Sequence, residues 1–210
     1  MYQKYQTDAL VLGSRESGEN DRVFVLFTHE FGLVRARASA VRKETSRMRY
    51  ALQNYARANV ALVRGRRGWR LAGASAIKNA HGDTRGLQTF ARISELVARL
   101  VHGEESNEYL FAALAEAHEA LMSAQDLDPR PTSLGLGPAS GWRGHSDITG
   151  VIEIVCVARV LYALGYISTE ALSSALFTHT AYTGESLLEA ETMKDRLLSS
   201  INKAIAETHL

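Results

Sequence analysis

The chain has 210 residues, of which 46% are hydrophobic and 22% charged, and its formal net charge is +1. These values are typical of a globular protein with one large domain or two small ones. No apolar run approaches the ~18 residues that a membrane span needs, and the first residues lack the apolar block of a signal peptide, so the sequence predicts a cytoplasmic protein. The single cysteine, Cys156, excludes an internal disulfide framework and any multi-cysteine zinc site.

The charge is divided unevenly along the chain. Residues 1–80 hold 15 Lys/Arg and 6 Asp/Glu, a balance of +9, whereas residues 81–210 hold 9 and 17, a balance of −8. Such asymmetry indicates a polyanionic partner for the basic part. It also makes the acidic part a poor candidate for the main nucleic-acid surface.

The first 80 residues have the pattern of five β-strands. Alternation and many β-branched or aromatic residues predict strands at 8–15, 22–29, 33–42, 57–64 and 69–78. The sequence GRRG at 65–68 predicts a hairpin turn, and 43–56 form a longer link with room for one helical turn. Five strands with a long link after the third predict a Greek-key barrel of the OB-fold type. Apolar residues on both faces of the second strand predict that another element covers one side of the barrel.

From about residue 84 the apolar period becomes that of α-helices. The predicted fold class is therefore α+β, with a five-stranded OB-fold nucleic-acid-binding domain at 1–80 and an all-α domain at 81–210. Helices are predicted at 84–102, 106–124, 148–166, 168–176 and 185–210, with Ser106 as an N-cap and Ser186 with Glu189 as a capping box. Proline and glycine predict a long loop at about 126–147. Cys156 lies in an apolar helix, which predicts a buried, inert thiol.

Motifs for catalysis are absent from the sequence. The seven histidines have no metal-ligand spacing, and chance surface positions are predicted for them. There is no phosphate-binding loop of the Gly-x-x-x-x-Gly-Lys type and no Gly-x-Ser-x-Gly elbow, and the glycines of 135–141 are wrongly spaced for a dinucleotide fingerprint. The sequence predicts neither an enzyme nor a site for a metal or cofactor.

Basic residues cluster along the third strand, in the link that follows it, and in the hairpin between strands four and five. Guanidinium groups hold phosphates with fixed geometry, and aromatic rings such as Tyr50, Tyr55 and Trp69 can stack on unpaired bases. Trp69 is balanced between base stacking and packing inside the barrel. The predicted DNA-binding residues are Arg35, Arg37, Arg42, Lys43, Arg47, Arg49, Arg64, Arg66, Arg67, Trp69 and Arg70.

The order of motifs in 10–48 and 51–77 resembles the N-terminal domain of RecO, a family of bacterial recombination mediators. The residues that carry this resemblance are Gly18, Glu19, Asp21, Leu26, Phe27, Thr28, Gly32, Leu52 and Gln53. Asn54 stands where the family usually has proline. The helical part is similar only in layout, and with Cys156 as its single cysteine it lacks the four-cysteine zinc module that many members carry.

The resemblance implies a nucleoid-associated role in DNA repair by recombination. It implies binding of single- and double-stranded DNA, ATP-independent annealing of complementary strands and, with RecR, loading of RecA onto DNA coated by single-strand-binding protein. The acidic C-terminal tail of that coating protein is a further implied partner. The residues by themselves leave open an OB-fold RNA or tRNA binder with a helical interaction domain, a protein-binding scaffold with a merely solvated basic face, and an enzyme.

Overall fold

The structure, a computed structural model, describes residues 3–79, 84–123, 148–168 and 175–207. Its fold is α+β, with a barrel formed by the first part of the chain and helices formed by the second. The fold class predicted from the sequence is therefore confirmed. The predicted loop at about 126–147 lies outside the described residues.

Five strands close the barrel: β1 (Lys4–Ser17), β2 (Asp21–Thr28), β3 (Gly32–Ala38), β4 (Arg57–Gly65) and β5 (Gly68–Lys78). Their order around it is β1-β2-β3-β5-β4, with antiparallel neighbours except for the parallel pair β3 and β5. The predicted hairpin turn is confirmed, since Arg66 and Arg67 alone separate β4 from β5. The helical turn in the long link is confirmed as α1 (Met48–Ala51).

Alternating side chains fill the barrel. In β3, Val34, Ala36 and Ala38 are buried, while Arg35 and Arg37 point to solvent. This strand therefore has one face in the barrel core and one charged face, as its sequence pattern predicts. The core is completed by residues from the other strands and the link, including Phe24, Leu26, Val41, Leu52, Leu62 and Trp69.

The helices cover a second side of the barrel. Leu10, Leu12, Phe27 and Leu33 belong to the same buried cluster as the helical side chains, and the ring of Phe27 stacks on Phe111 at 6.2 Å between centroids. The prediction that another element covers strand two is thus confirmed. Barrel and helices share one core, so the burial of apolar surface fixes their contact.

The helical part contains α2 (Thr84–Leu100), α3 (Glu108–Met122), α4 (Ile148–Ala163), α5 (Ala175–Thr178), α6 (Gly184–Thr192) and α7 (Lys194–Glu207). The closing helix predicted at 185–210 is two helices that meet at Met193. The predicted caps were wrong by a few residues. Asn107, not Ser106, caps α3 by accepting from Leu110 N–H, and the capping box of α6 pairs Thr183 with Ser186, not Ser186 with Glu189.

The apolar helix α4 contains two buried side chains of types that are not simple hydrocarbons, a cysteine and an arginine. Cys156 is fully buried, so the predicted core position of its thiol is confirmed. Burial raises the pKa of this thiol to about 12. Arg159 is 1% exposed, and its guanidinium donates to the carbonyls of Leu176, His179 and Thr180. This arginine ties α4 to α5 and to the segment after it. Within the described residues, no helix has both the length and the apolar character needed to cross a membrane.

Candidate nucleic-acid interface

The parallel pairing of β3 with β5 brings exposed arginines from distant parts of the chain together. Arg37 and Arg70 are Cα partners across this pair, and Arg35 lies two positions before Arg37 on the same face. All three are exposed. Because alternate residues of a strand point outward, the sequence pattern of β3 directly produces this charged ridge.

The hairpin between β4 and β5 extends the basic region. Arg66 and Arg67 form its two-residue turn, and both are exposed. Lys43 and Arg47 lie exposed in the link after β3. Six basic residues of this region form no salt bridge with any residue that the structure describes: Arg35, Lys43, Arg47, Arg66, Arg67 and Arg70. We call these six residues the free basic surface, because their charges are available to an anionic ligand.

Other predicted arginines already have anionic partners. Arg37 donates from Nε and Nη2 to Asp21 Oδ2 at 2.9 and 2.7 Å. The backbone N–H of Ala40 and the Arg37 guanidinium hold the pKa of Asp21 below its usual value, so this carboxylate stays charged beside Arg37. Arg64 pairs with Glu104 at 2.9 Å. We expect Arg37 and Arg64 to contribute less to phosphate binding than the free basic surface does.

Arg42 and Arg49 lie at the end of the barrel where β2 begins. Arg42 donates to the carbonyl of Glu19 at 2.9 Å and lies 3.3 Å from Glu16 Oε2. The guanidinium of Arg49 lies 5.1 Å from the ring centre of Tyr50. Arg22, which the sequence interpretation left out, lies 3.7 Å from Glu16 Oε1. Its position at the start of β2 gave no charged run that would have marked it.

Trp69 packs inside the barrel. It is 5% exposed, and its ring contacts Tyr5 and Phe31 with centroids 5.7 and 5.3 Å away. Arg64 covers it at 5.1 Å. In this position no base can stack on the indole. The structure therefore favours packing inside the barrel over base stacking, and we do not propose Trp69 as a DNA-contacting residue.

The histidine prediction also needs a correction. His118 on α3 is fully buried and not at the surface, because its ring fills the contact between α3 and the barrel beside Phe90. Across the described ranges, no group of three His, Cys, Asp or Glu side chains comes together as a metal site. Whether the protein contains zinc stays a prediction for elemental analysis.

Comparison with known proteins links the barrel to one family. Residues 1–80 match the family model for the N-terminal part of recombination protein O. The chain is 33% identical over 115 residues to DNA repair protein RecO of Pelotomaculum thermopropionicum, covering 53% of this chain and 45% of that protein. It is 33% identical over 131 residues to the Myxococcus xanthus protein of the same name, covering 60% and 53%.

A shorter match has higher identity. Over 62 residues the chain is 45% identical to DNA repair protein RecO of Desulfitobacterium hafniense, covering 30% of this chain and 23% of that protein. The aligned parts thus span about half of these relatives or less. The residues that the family model matches, 1–80, include the whole barrel and the motifs noted in its strands and turns, so the barrel is similar to the N-terminal part of recombination protein O.

Proposed function

We propose that the protein acts in DNA repair as a recombination mediator that binds single- and double-stranded DNA through the free basic surface. The observation that carries the proposal is the set of six basic side chains on a RecO-type barrel that form no salt bridge with a described residue. Guanidinium and ammonium groups that are not neutralised by the protein attract phosphates strongly, with release of counterions from the DNA. Contacts of this kind position DNA without selecting its sequence.

The proposed activity is annealing of complementary strands without ATP. A basic surface reduces the repulsion between two phosphate backbones, so that base pairing itself supplies the free energy. Neither a covalent step nor a cofactor is needed. The proposal includes a functional division in which residues 1–80 bind nucleic acid and the acidic residues 81–210 bind proteins.

The protein partners that we propose are those implied by the resemblance to the RecO family. With RecR, the protein would help to load RecA onto DNA coated by single-strand-binding protein, whose acidic C-terminal tail it would bind. One described feature has suitable chemistry for that tail. A cavity of about 400 Å³ between the barrel and α2 is lined by the apolar Leu12, Val25 and Ala91 and by the charged Arg15, Arg92 and Glu95. Arg92 is already paired with Glu153 at 2.6 Å, so Arg15 is the cation that we propose for the tail. Substitution of Arg15 by Glu should weaken binding of a fluorescent tail peptide to the full chain.

The test of the proposed function compares three nucleic acids of one sequence at low salt: single-stranded DNA, duplex DNA and single-stranded RNA. We expect binding to both DNAs, and faster pairing of complementary strands that carry cognate single-strand-binding protein. A triple variant of Arg35, Arg66 and Arg70 to Gln should lose most of this annealing. No binding to DNA at low salt would refute the proposal, and a clear preference for the RNA would favour the alternative of an RNA-binding protein.

A further inference from the structure

A cavity at one end of the barrel combines an apolar floor with arginines. It has a volume of about 270 Å³ and is lined by Arg22, Phe24, Val41, Arg42, Arg49 and Leu52. We call it the barrel-end cavity. The three apolar side chains are at most 3% exposed, because they also close the barrel core. The volume is slightly below the roughly 300–1,000 Å³ range of ligand pockets, so it suits only a small unit such as part of one nucleotide.

The charge of this cavity is positive and only partly neutralised. Arg22 and Arg42 share one carboxylate, that of Glu16, at 3.7 and 3.3 Å. Arg49 has no salt bridge to a described residue. The buried Nε of Arg22 has no hydrogen-bond partner in the described part of the chain. A buried donor without a partner is unfavourable, so an anionic oxygen that reached this Nε would supply its missing acceptor.

An exposed aromatic ring lies beside the arginines. Tyr50 follows Arg49 in α1, and it is 61% exposed, the most exposed of the large hydrophobic side chains described. The Arg49 guanidinium packs on one side of this ring. A free aromatic face next to phosphate-binding groups is the arrangement by which proteins hold unpaired bases. In a duplex the bases are stacked and paired, and this ring cannot reach their faces.

We propose that the barrel-end cavity holds one unpaired nucleotide of single-stranded DNA. Arg22, Arg42 and Arg49 bind its phosphate, and Tyr50 stacks on the base. The inference rests on the proposed function, and it adds a site selective for unpaired DNA to a surface that binds any backbone. Glu16 acts as a competing anion, which must release Arg22 and Arg42 when the phosphate enters.

The test uses the full chain with a labelled thymidine 15-mer and a blunt duplex of equal length. Tyr50→Ala should weaken binding of the single strand by about fivefold or more, as expected for loss of one stacked base, and should leave duplex binding nearly unchanged. Tyr166→Ala is the matched control, since Tyr166 is also exposed but lies after α4. Glu16→Gln should strengthen single-strand binding more than Glu30→Gln, the same charge change at the opposite end of the barrel.

The outcomes separate this inference from the proposed function. If the unaltered protein binds neither DNA, the proposed function fails and the inference fails with it. If it binds both, and Tyr50→Ala behaves like Tyr166→Ala or weakens both DNAs equally, the barrel-end cavity is not a nucleotide site. Equal gains from Glu16→Gln and Glu30→Gln would likewise assign the effect to overall charge and overturn the inference. Melting curves of each variant exclude loss of folding as the cause.

Discussion

His118 is a buried polar group at the contact between α3 and the barrel. Its Nε2 lies 2.8 Å from the carbonyl oxygen of Tyr55, and a carbonyl only accepts, so Nε2 carries the proton. The buried Nδ1 has no partner among the described residues. Burial lowers the pKa of His118 to about 4, against the opposing effect of the Tyr55 hydrogen bond. The neutral ring is therefore the form that the folded protein requires.

This depressed pKa predicts a loss of stability in mild acid. In the unfolded chain the histidine has a pKa near 6.5, so between about pH 6.5 and pH 4 the unfolded state binds a proton that the folded state does not. The free energy of unfolding should fall over this window by about 3 kcal/mol. Denaturant titrations from pH 7.5 to pH 4 measure it. His118→Gln can still donate to Tyr55, and its pH profile should lack this part of the slope; identical profiles would contradict the assignment.

Trp69 is predicted to matter for stability rather than for DNA contact. Replacement by Ala leaves a cavity between Tyr5 and Phe31 and should lower the free energy of unfolding by about 3–5 kcal/mol. Trp69→Phe should retain most of the stability, since it keeps an aromatic ring and removes an indole N–H that has no partner in the described structure. Single-strand binding by folded Trp69→Phe should match the unaltered protein. A large loss of affinity without a change in melting temperature would restore the stacking alternative.

At the scale of residues, the sequence shows which side chains are basic, but it does not predict which of them form salt bridges within the protein. Arg37 is neutralised by Asp21, and Arg64 by Glu104. These partners are distant along the chain, so only the closed barrel and its contact with the α2–α3 link bring the charges together. Burial of Trp69 depends in the same way on Tyr5 and Phe31, which belong to other parts of the barrel. Local patterns contain no information on such pairs.

Among the elements, α2 and α3 pack closely where Gly86 faces Leu121. A Cβ atom at Gly86 would overlap with the backbone carbonyl of Leu121. Gly86→Ala should therefore force the helices apart and lower the free energy of unfolding by about 1–3 kcal/mol, as overpacking does. Thermal melts compare it with Gly184→Ala, where a Cβ has open space and alanine favours the helix. If both variants melt alike, α2 and α3 do not approach as closely as described.

The types and order of the elements were predictable because their signals are local. Alternation in β3 and the Arg66–Arg67 turn need only a few residues each, and they were confirmed. Helix ends were less predictable. Asn107 and Ser106 are adjacent residues that can both serve as N-caps, and the choice depends on the backbone, which is extended at Asn107. The break at Met193 has no proline or glycine beside it that would have predicted it.

For the whole molecule, the core that the barrel and the helices share limits how the proposed separate functions of residues 1–80 and 81–210 can be tested. Four barrel side chains pack in the same buried cluster as the helical residues: Leu10, Leu12, Phe27 and Leu33. In addition, Gly32 lies directly against the backbone of Glu105. A helical fragment cut at residue 80 would expose this cluster to water. Experiments on the two parts therefore need the full chain, with substitutions in place of truncations. Composition alone gave the opposite charges of the two parts, but not their common core.

The dependence of DNA binding on salt tests the free basic surface as a unit. For single strands, log K falls with log salt by roughly 0.7 per phosphate neutralised. Removal of Arg66 and Arg67 together by substitution with Gln should make the slope less steep by about one unit or slightly more. The loss should be similar for all base sequences, because phosphate contacts do not read bases. Salt titrations on a mixed-sequence single strand measure both quantities.

The control for this experiment removes the same charge from the helical part. Arg99 and Arg196 are exposed on α2 and α7, and their double substitution by Gln changes the net charge as much as the hairpin variant does. If the barrel is the DNA surface, this control should keep the full slope, because counterions are released only where phosphates are contacted. An equal change in both variants would mean that the slope reports overall charge. If the slope were unchanged in the hairpin variant, the hairpin would not contact DNA, and the proposed phosphate contacts would be limited to β3 and the link after it.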